Sequence, residues 1–520
     1  MSAPEVIRTL VRRFSQSREA YHSRSYNEMQ LRIEFIDPFF KALGWDVNNE
    51  SGTAEAYKDV IHEDAIKIAD DENTKAPDYC FRIGGTRLFF VEAKRPSVNL
   101  EDDRKPAFQI RRYAWSARLP MSILTNFERL AIYDAKVKPD KRDNASVARA
   151  LYFTYDQFEE KWDEMTAVFS KDAVMNGSLD KFAVANLVRR GAINVGTSFL
   201  QDIESWREIL ARNFALNNAT LSQRDTNFAV QMTIDRIIFL RICEDRGIEE
   251  YGRLRLAVRG LRVYESLFNH FRDADDRYNS GLFHFTLERG RVHDHDELTP
   301  NLIVDDHPLR SIVDGLYYPE SPYEFSVLPA DILGQVYEQF LGKVILLTPD
   351  HRVKVEDKPE VRKAGGVYYT PTNVVRYIVK QTVGIQLEGR RPGGRGGASR
   401  LKIVDPACGS GSFLIEAYQF LLDWHRDRYL EDGPEKHARE IYRGQGGTWQ
   451  LTTSERKRIL LACIYGVDID PQAVEVTKLS LLLKVLENES AQSLMSQRQM
   501  FHERALPDLG SNIKCGNSLI

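Results

Sequence analysis

Apolar positions change their spacing along the chain, and the changes mark out its elements. In NEMQLRIEFIDPFFKAL (27–43), Leu31, Phe35, Phe39 and Leu43 recur every fourth residue, which predicts an amphipathic helix stopped at Gly44. RLFFVEAK (87–94) and SILTNFERLAIYD (122–134) predict strands, with QIRRYAWSARL (109–119) a helix between them. From residue 166 to 350 the pattern is mainly helical. Phe228, Met232, Ile234, Ile238, Leu240 and Ile242 make a broad apolar stripe over 225–248, ended by Gly247, and LPADILGQVYEQFLG (328–342) predicts a second strong helix. GRRPGGRGGASR (389–400) interrupts a helix as a flexible loop, and the remainder alternates strand and helix as a parallel α/β sheet does. The expectation is a multidomain α/β protein, with divisions after residues 165 and 350.

Composition adds mostly exclusions. A chain of 520 residues, 42% apolar and 28% charged, has the profile of several soluble globular domains. The net charge of −4 announces no nucleic-acid binder, although an acidic protein can still concentrate basic residues in one channel. The five cysteines (Cys80, Cys243, Cys408, Cys463, Cys515) lack CxxC spacing, so neither a disulfide framework nor a zinc site is expected. No signal peptide opens the chain and no apolar run approaches the roughly 20 residues of a membrane helix, so no membrane partner and a cytoplasmic location are expected.

Two constellations carry chemistry. In the first, Asp78 follows Pro77, and Glu92 and Lys94 lie two apart on a strand, hence on one face. If Asp78 lies on the neighbouring strand, two carboxylates and an ammonium converge. Such oxygens suit Mg²⁺, and the lysine can position a water for phosphodiester hydrolysis. The spacing alone fits a surface ion pair equally well. With Gln109 and Tyr113 on the next helix, however, these residues resemble the PD-(D/E)xK nuclease superfamily. The resemblance implies catalytic roles for Asp78, Glu92, Lys94 and Gln109. It also implies a metal site of Asp78, Glu92 and a helix glutamate, Glu28 or Glu34, with Glu34 preferred.

The second constellation is IVDPACGSGSFLIEAYQFLL (403–422), a strand, a glycine-rich turn and a helix. IYGVDIDPQAVEVTKLSLLL (464–483) follows, its strand ending at Asp468. Gly409 and Gly411 permit a tight turn and close backbone approach to a ligand, and no GKS or GKT marks an NTP loop. Asp468 can accept both ribose hydroxyls of an adenosine cofactor, whereas Asp470-Pro471 fits an N-cap and first helical residue. With GGVYYTP (365–371) upstream and Asn517 downstream, these residues resemble the class I N6-adenine DNA methyltransferases. That implies S-adenosyl-L-methionine bound by Tyr369, Thr370, Pro371, Asp405, Ala407, Gly409, Gly411, Phe413, Asp468 and Asn517.

Nuclease, helical connector and methyltransferase front half together resemble the type IIG restriction–modification enzymes of phage defence, which cut and methylate double-stranded DNA. The expected domains are a nuclease (1–165), a helical connector (166–350) and the first part of a methyltransferase (351–520). The family's Asn/Asp-Pro-Pro-aromatic motif is absent from the 520 residues. The expectation is a methyltransferase incomplete here, inactive and weakly cofactor-binding on its own, with a second polypeptide a candidate partner. The rival is a non-catalytic remnant, or half of a split enzyme, that binds DNA or cofactor. His293, His295 and His307, with Asp294, Asp296, Asp305 and Asp306, read as a solvated loop rather than a metal cluster.

Overall fold

The computed structural model describes residues 3–53, 57–62, 77–185, 193–278, 282–286, 295–328, 332, 334, 336, 342–348, 350, 352–358, 370–394, 396–443, 449–487, 489 and 506–519. Two compact units emerge: Met1–Val195 with Tyr318–Leu328, and Gly196–Tyr317 with Pro329–Ile520.

In the first unit, α1 (Glu5–Gln16) precedes α2, a composite of Glu28–Leu31, a π turn at Arg32–Ile36 and Asp37–Ala42. Asn27 and Gln30 close a capping box at its start, satisfying two backbone N–H groups that lack helical partners. Pro38 has no N–H to donate, and the π turn directly before it carries the chain past that gap. Phe35, Ile36, Phe39 and Phe40 are all buried as a result. Gly44, at φ +88°, ends the helix in the left-handed conformation that glycine adopts without strain.

Six strands form one sheet in sequence order: β1 (Val60–His62), β2 (Tyr79–Ile83), β3 (Thr86–Ala93), β4 (Met121–Thr125), β5 (Arg129–Asp134) and β6 (Arg149–Thr154). Neighbours run antiparallel except β3 and β4, which are parallel. A parallel pair needs a crossover, and α3 (Arg104–Ser116) supplies it. Alternation along β3 divides its side chains. Phe89, Val91 and Ala93 enter the core shared with α1 and α2, while Phe90 packs with Ile110, Tyr113 and Ala114 of α3. The segment Tyr318–Leu328 grips α3 as well. Arg112 Nε donates to the Tyr323 carbonyl at 2.9 Å, Arg112 pairs with Glu324 at 3.0 Å, and Ser116 Oγ accepts the Glu324 N–H at 2.9 Å.

The second unit contains α4 (Val195–Asn217), α5 (Gln223–Asp245) and α6 (Val263–Tyr278). The stripe expected on α5 is corrected: Phe228 is 39% exposed, while Arg236, Arg241, Glu244 and Asp245 are buried. Buried charge survives only when paired. Arg241 accordingly meets Asp245 at 2.5 Å, and Arg236 meets Asp296 at 2.7 Å. That second pair departs from the solvated-loop reading at Asp296, whose side chain is only 7% exposed and accepts the N–H of Thr299 at 2.9 Å, while Asp305 and His307 are exposed. His293 and Asp294 lie outside the described residues, as does most of 328–342.

One hairpin, β7 (Lys343–Leu347) with β8 (Val353–Asp357), precedes the unit's parallel sheet in sequence, and another, β10 (Ile441–Arg443) with β11 (Trp449–Leu451), falls between two of its strands. The sheet runs β13 (Ile513–Cys515), β12 (Ile464–Asp468), β9 (Ile403–Asp405). Its helices are α7 (Thr372–Val379), α8 (Ser412–Asp432), α9 (Thr453–Cys463) and α10 (Pro471–Val485). Residues 389–400 join a helical segment to β9 rather than interrupting a helix.

Gly411 is tightly confined: φ is +84°, and an added Cβ would lie 2.8 Å from Thr477 Cγ2. Gly411→Ala combines backbone strain with a clash, and should cost about 1–3 kcal/mol. Chemical denaturation of the variant checks this, and an unchanged midpoint would contradict it.

Candidate active site and cofactor loop

The register Tyr79↔Val91 between antiparallel β2 and β3 sets Asp78 opposite Glu92. Asp78 Oδ2 accepts the Ala93 N–H at 2.7 Å. Lys94 Nζ donates to Glu92 Oε1 at 2.6 Å, and Gln109 Nε2 of α3 approaches the same oxygen at 3.4 Å. Gln109 in turn hydrogen-bonds Tyr113, one helical turn further on. Asp78, Glu92, Lys94 and Gln109 are thus brought together.

Glu92 is only 3% exposed, and its Oε2 has no hydrogen-bond partner among the described residues. Burial, followed by the charge of Asp78, pushes its carboxyl up to about 7. Burial also raises Asp78, against the opposing pull of the Ala93 N–H, Arg32 and Lys94. For Lys94, burial acts downward, but the Glu92 charge and hydrogen bond outweigh it and the ammonium is held above its ordinary range.

The two helix glutamates are placed differently. Glu34 pairs with Arg13, whereas Glu28 is the helix carboxylate whose charge acts on Asp78, Glu92 and Lys94. Helical phase explains the difference. Glu28 and Arg32 are four residues apart on one face, and Glu34 is rotated away from it. Arg32, which sequence reasoning did not single out, donates to Asp78 Oδ1 at 3.3 Å. Its i, i+4 relation to Glu28 was the available signal. Among the described residues no three His, Cys, Asp or Glu side chains form a ready metal cage.

In the second unit, the turn after β9 is tied to β12 and α10. Cys408 N–H donates to the Val467 carbonyl at 3.0 Å, Gly409 N–H to Asp468 Oδ2 at 2.8 Å, and Thr477 Oγ1 to the Gly409 carbonyl at 2.8 Å. Asp468 Oδ1 accepts the Asp470 N–H at 2.9 Å, so this carboxylate shapes the loop as well as facing it. Thr477's part in holding the turn has no motif to announce it. Asp405 ends β9, accepts the Ala407 N–H at 3.1 Å, and is raised by burial and by the neighbouring Asp468. Ala407 is exposed, and Phe413 is half-buried in the first turn of α8. Asp470 caps α10 by accepting the Gln472 N–H at 2.9 Å. Thr370 and Pro371 directly precede α7, and Asn517 is exposed beyond β13, its Oδ1 accepting the Leu519 N–H at 2.9 Å. Tyr369 lies outside the described residues.

Comparison with known proteins agrees with this division. Residues 59–141 match the N terminus of type I restriction enzyme R proteins, and residues 329–504 match the N-6 DNA methylases. The type II restriction enzyme and methyltransferase RM.Eco57I of Escherichia coli is 35% identical over 522 residues, spanning 100% of this chain and 50% of that protein. A putative type II restriction enzyme and methyltransferase of Methanocaldococcus jannaschii, RM.MjaORFECS2P, is 28% identical over 56% of this chain and 27% of that protein. The chain therefore spans half or less of the length of these two relatives. The crystal structure of the type IIG restriction endonuclease BpuSI aligns over 89% of this chain and 41% of that one, at 14% identity and a TM-score of 0.27, too distant to carry an argument. Over its whole length the chain is thus similar to about half of a type II restriction enzyme and methyltransferase, with one stretch matching the type I restriction R-protein N terminus and another the N-6 DNA methylases.

Proposed function

We propose that this chain supplies the DNA-cleaving centre and the cofactor-binding front half of an adenine-N6 methyltransferase in a type IIG enzyme acting on double-stranded DNA. In this reading the nuclease occupies residues 1–165, the methyltransferase part 351–520, and a mainly helical connector 166–350, of which Tyr318–Leu328 returns to the first unit. The observation that carries the reading is Glu92: a buried carboxylate beside Asp78, with one oxygen on Lys94 and Gln109 and the other without a partner.

A hard divalent cation fits that arrangement. Mg²⁺ takes one or two carboxylates and keeps its remaining positions for water and phosphate, so a closed cage is unnecessary. Asp78 and Glu92 would hold it, with Glu28 the third carboxylate in electrostatic reach. When bound it supplies charge to polarise the phosphoryl group and stabilise the leaving oxygen. The chain's own residues do the rest. Lys94 presents an ammonium donor beside Glu92, where it can orient the attacking water. Gln109 keeps the Glu92 side chain in place, braced by Tyr113.

The cofactor loop fits S-adenosyl-L-methionine. Asp468 has lone pairs beyond its two backbone contacts for ribose hydroxyls, and Asp405, Ala407, Gly409, Gly411 and Phe413 line the turn in front of α8. Tyr369, Thr370, Pro371 and Asn517 complete the assignment. A protein supplying the Asn/Asp-Pro-Pro-aromatic motif would hold the target amine in line with the methyl group. That role belongs to sequence outside these 520 residues or to a second polypeptide.

Glu92→Gln should lower Mg²⁺-dependent cleavage of plasmid DNA by about a hundredfold or more, since it removes a charged ligand while preserving shape. Undiminished cleavage would remove the nuclease assignment. Asp468→Ala should weaken S-adenosyl-L-methionine binding by about tenfold or more in calorimetry, through lost hydroxyl contacts and a loosened Gly409 turn. Equal affinity in the variant and the unaltered protein would remove Asp468 from the pocket.

A further inference from the structure

We propose that Arg32 is a positioning residue of the nuclease centre, fixing the Asp78 carboxylate for a divalent cation while taking no part in the chemistry. The inference rests on the nuclease reading above. Asp78 is gripped at both oxygens from opposite sides. The Ala93 N–H of β3 holds Oδ2 at 2.7 Å, and Arg32 Nη1 of α2 holds Oδ1 at 3.3 Å. A carboxylate's terminal torsion is broad, so without the second grip the group could turn about the first.

The guanidinium is itself held in place. Nη2 lies 3.4 Å from the Asp78 carbonyl and 3.2 Å from His62 Nδ1, and the group lies over the Tyr79 ring at 4.6 Å. His62 Nε2 is 2.8 Å from the Val47 carbonyl. A carbonyl only accepts, so Nε2 carries the proton and Nδ1 is left as an acceptor for Arg32. Tyr79 is anchored through its hydroxyl, which donates to Asp37 Oδ1 at 2.7 Å. Arg32 and Asp78 are 15% and 17% exposed, so little water competes for these contacts. A simple ion pair would need charge alone. A flat fork braced on a ring, a carbonyl and an imidazole needs arginine.

Arg32→Lys separates these possibilities because it keeps the charge and loses the fork. Mn²⁺ binding by calorimetry should weaken about tenfold, and the Mg²⁺ concentration for half-maximal cleavage should rise by the same factor. The rate at saturating Mg²⁺ should fall less than about threefold. Unchanged Mn²⁺ affinity would overturn the inference, and so would a collapse of the saturated rate at unchanged affinity, which would make Arg32 catalytic. If Arg32→Lys does not fold, His62→Ala carries the test. It removes one brace of the fork and should weaken Mn²⁺ binding about threefold, with unaltered affinity again overturning the inference. An unaltered protein that neither binds Mn²⁺ nor cleaves DNA would remove the nuclease reading, and this inference with it.

Discussion

Taking a carboxylate out of water costs several kcal/mol unless partners replace the lost hydration, and the first unit buries one, Glu92, beside a second, Asp78, that is half-buried. Asp78 and Glu92 are brought together by the pairing of β2 with β3, which is fixed in turn by apolar cores on both faces of the sheet. Around them stand Lys94 on the strand, Gln109 on α3, and Glu28 and Arg32 on α2. The crossover that makes β3 and β4 parallel also delivers Gln109. The segment Tyr318–Leu328, clamped on α3 through Arg112 and Ser116, steadies the helix from which that glutamine projects.

The second unit solves a different problem, that of bringing backbone close to a ligand. Its turn after β9 is built from glycines at positive φ, closed by the Gly411 N–H on the Cys408 carbonyl at 2.8 Å and held from outside by Asp468 and Thr477. Asp468 therefore couples loop shape to ligand contact. Asp470 does the structural work of starting α10, as its position before Pro471 suggests.

Local geometry made much of this legible in the sequence. The i, i+2 relation of Glu92 and Lys94 and the glycine turn are local signals, and each became an observed contact. What stayed hidden depends on distant packing. The choice between Glu28 and Glu34 turns on helical phase, which spacing from Asp78 cannot give. The burial of α5 on all sides from Ala229 onward could not be read from one stripe, because its charged residues find partners such as Asp296 sixty positions away. The return of Tyr318–Leu328 to the first unit likewise has no periodic signature.

The central claim is that the fold holds at Glu92 a buried carboxylate partnered at one oxygen only, which a divalent cation relieves. Its pKa rises from an ordinary 4.5 to about 7 in the fold, chiefly by burial. The folded state therefore keeps this proton after the unfolded chain has released it, and stability is lost as pH climbs through that interval. Melting temperatures of the unaltered protein and of Glu92→Gln, measured from pH 4.5 to 8 with and without Mg²⁺, test this directly. The account predicts a decline across that range in the metal-free unaltered protein that is shallower in Glu92→Gln, and a stabilisation by Mg²⁺ at pH 8 that the variant lacks. The same pH profile and the same Mg²⁺ shift in both proteins would contradict it.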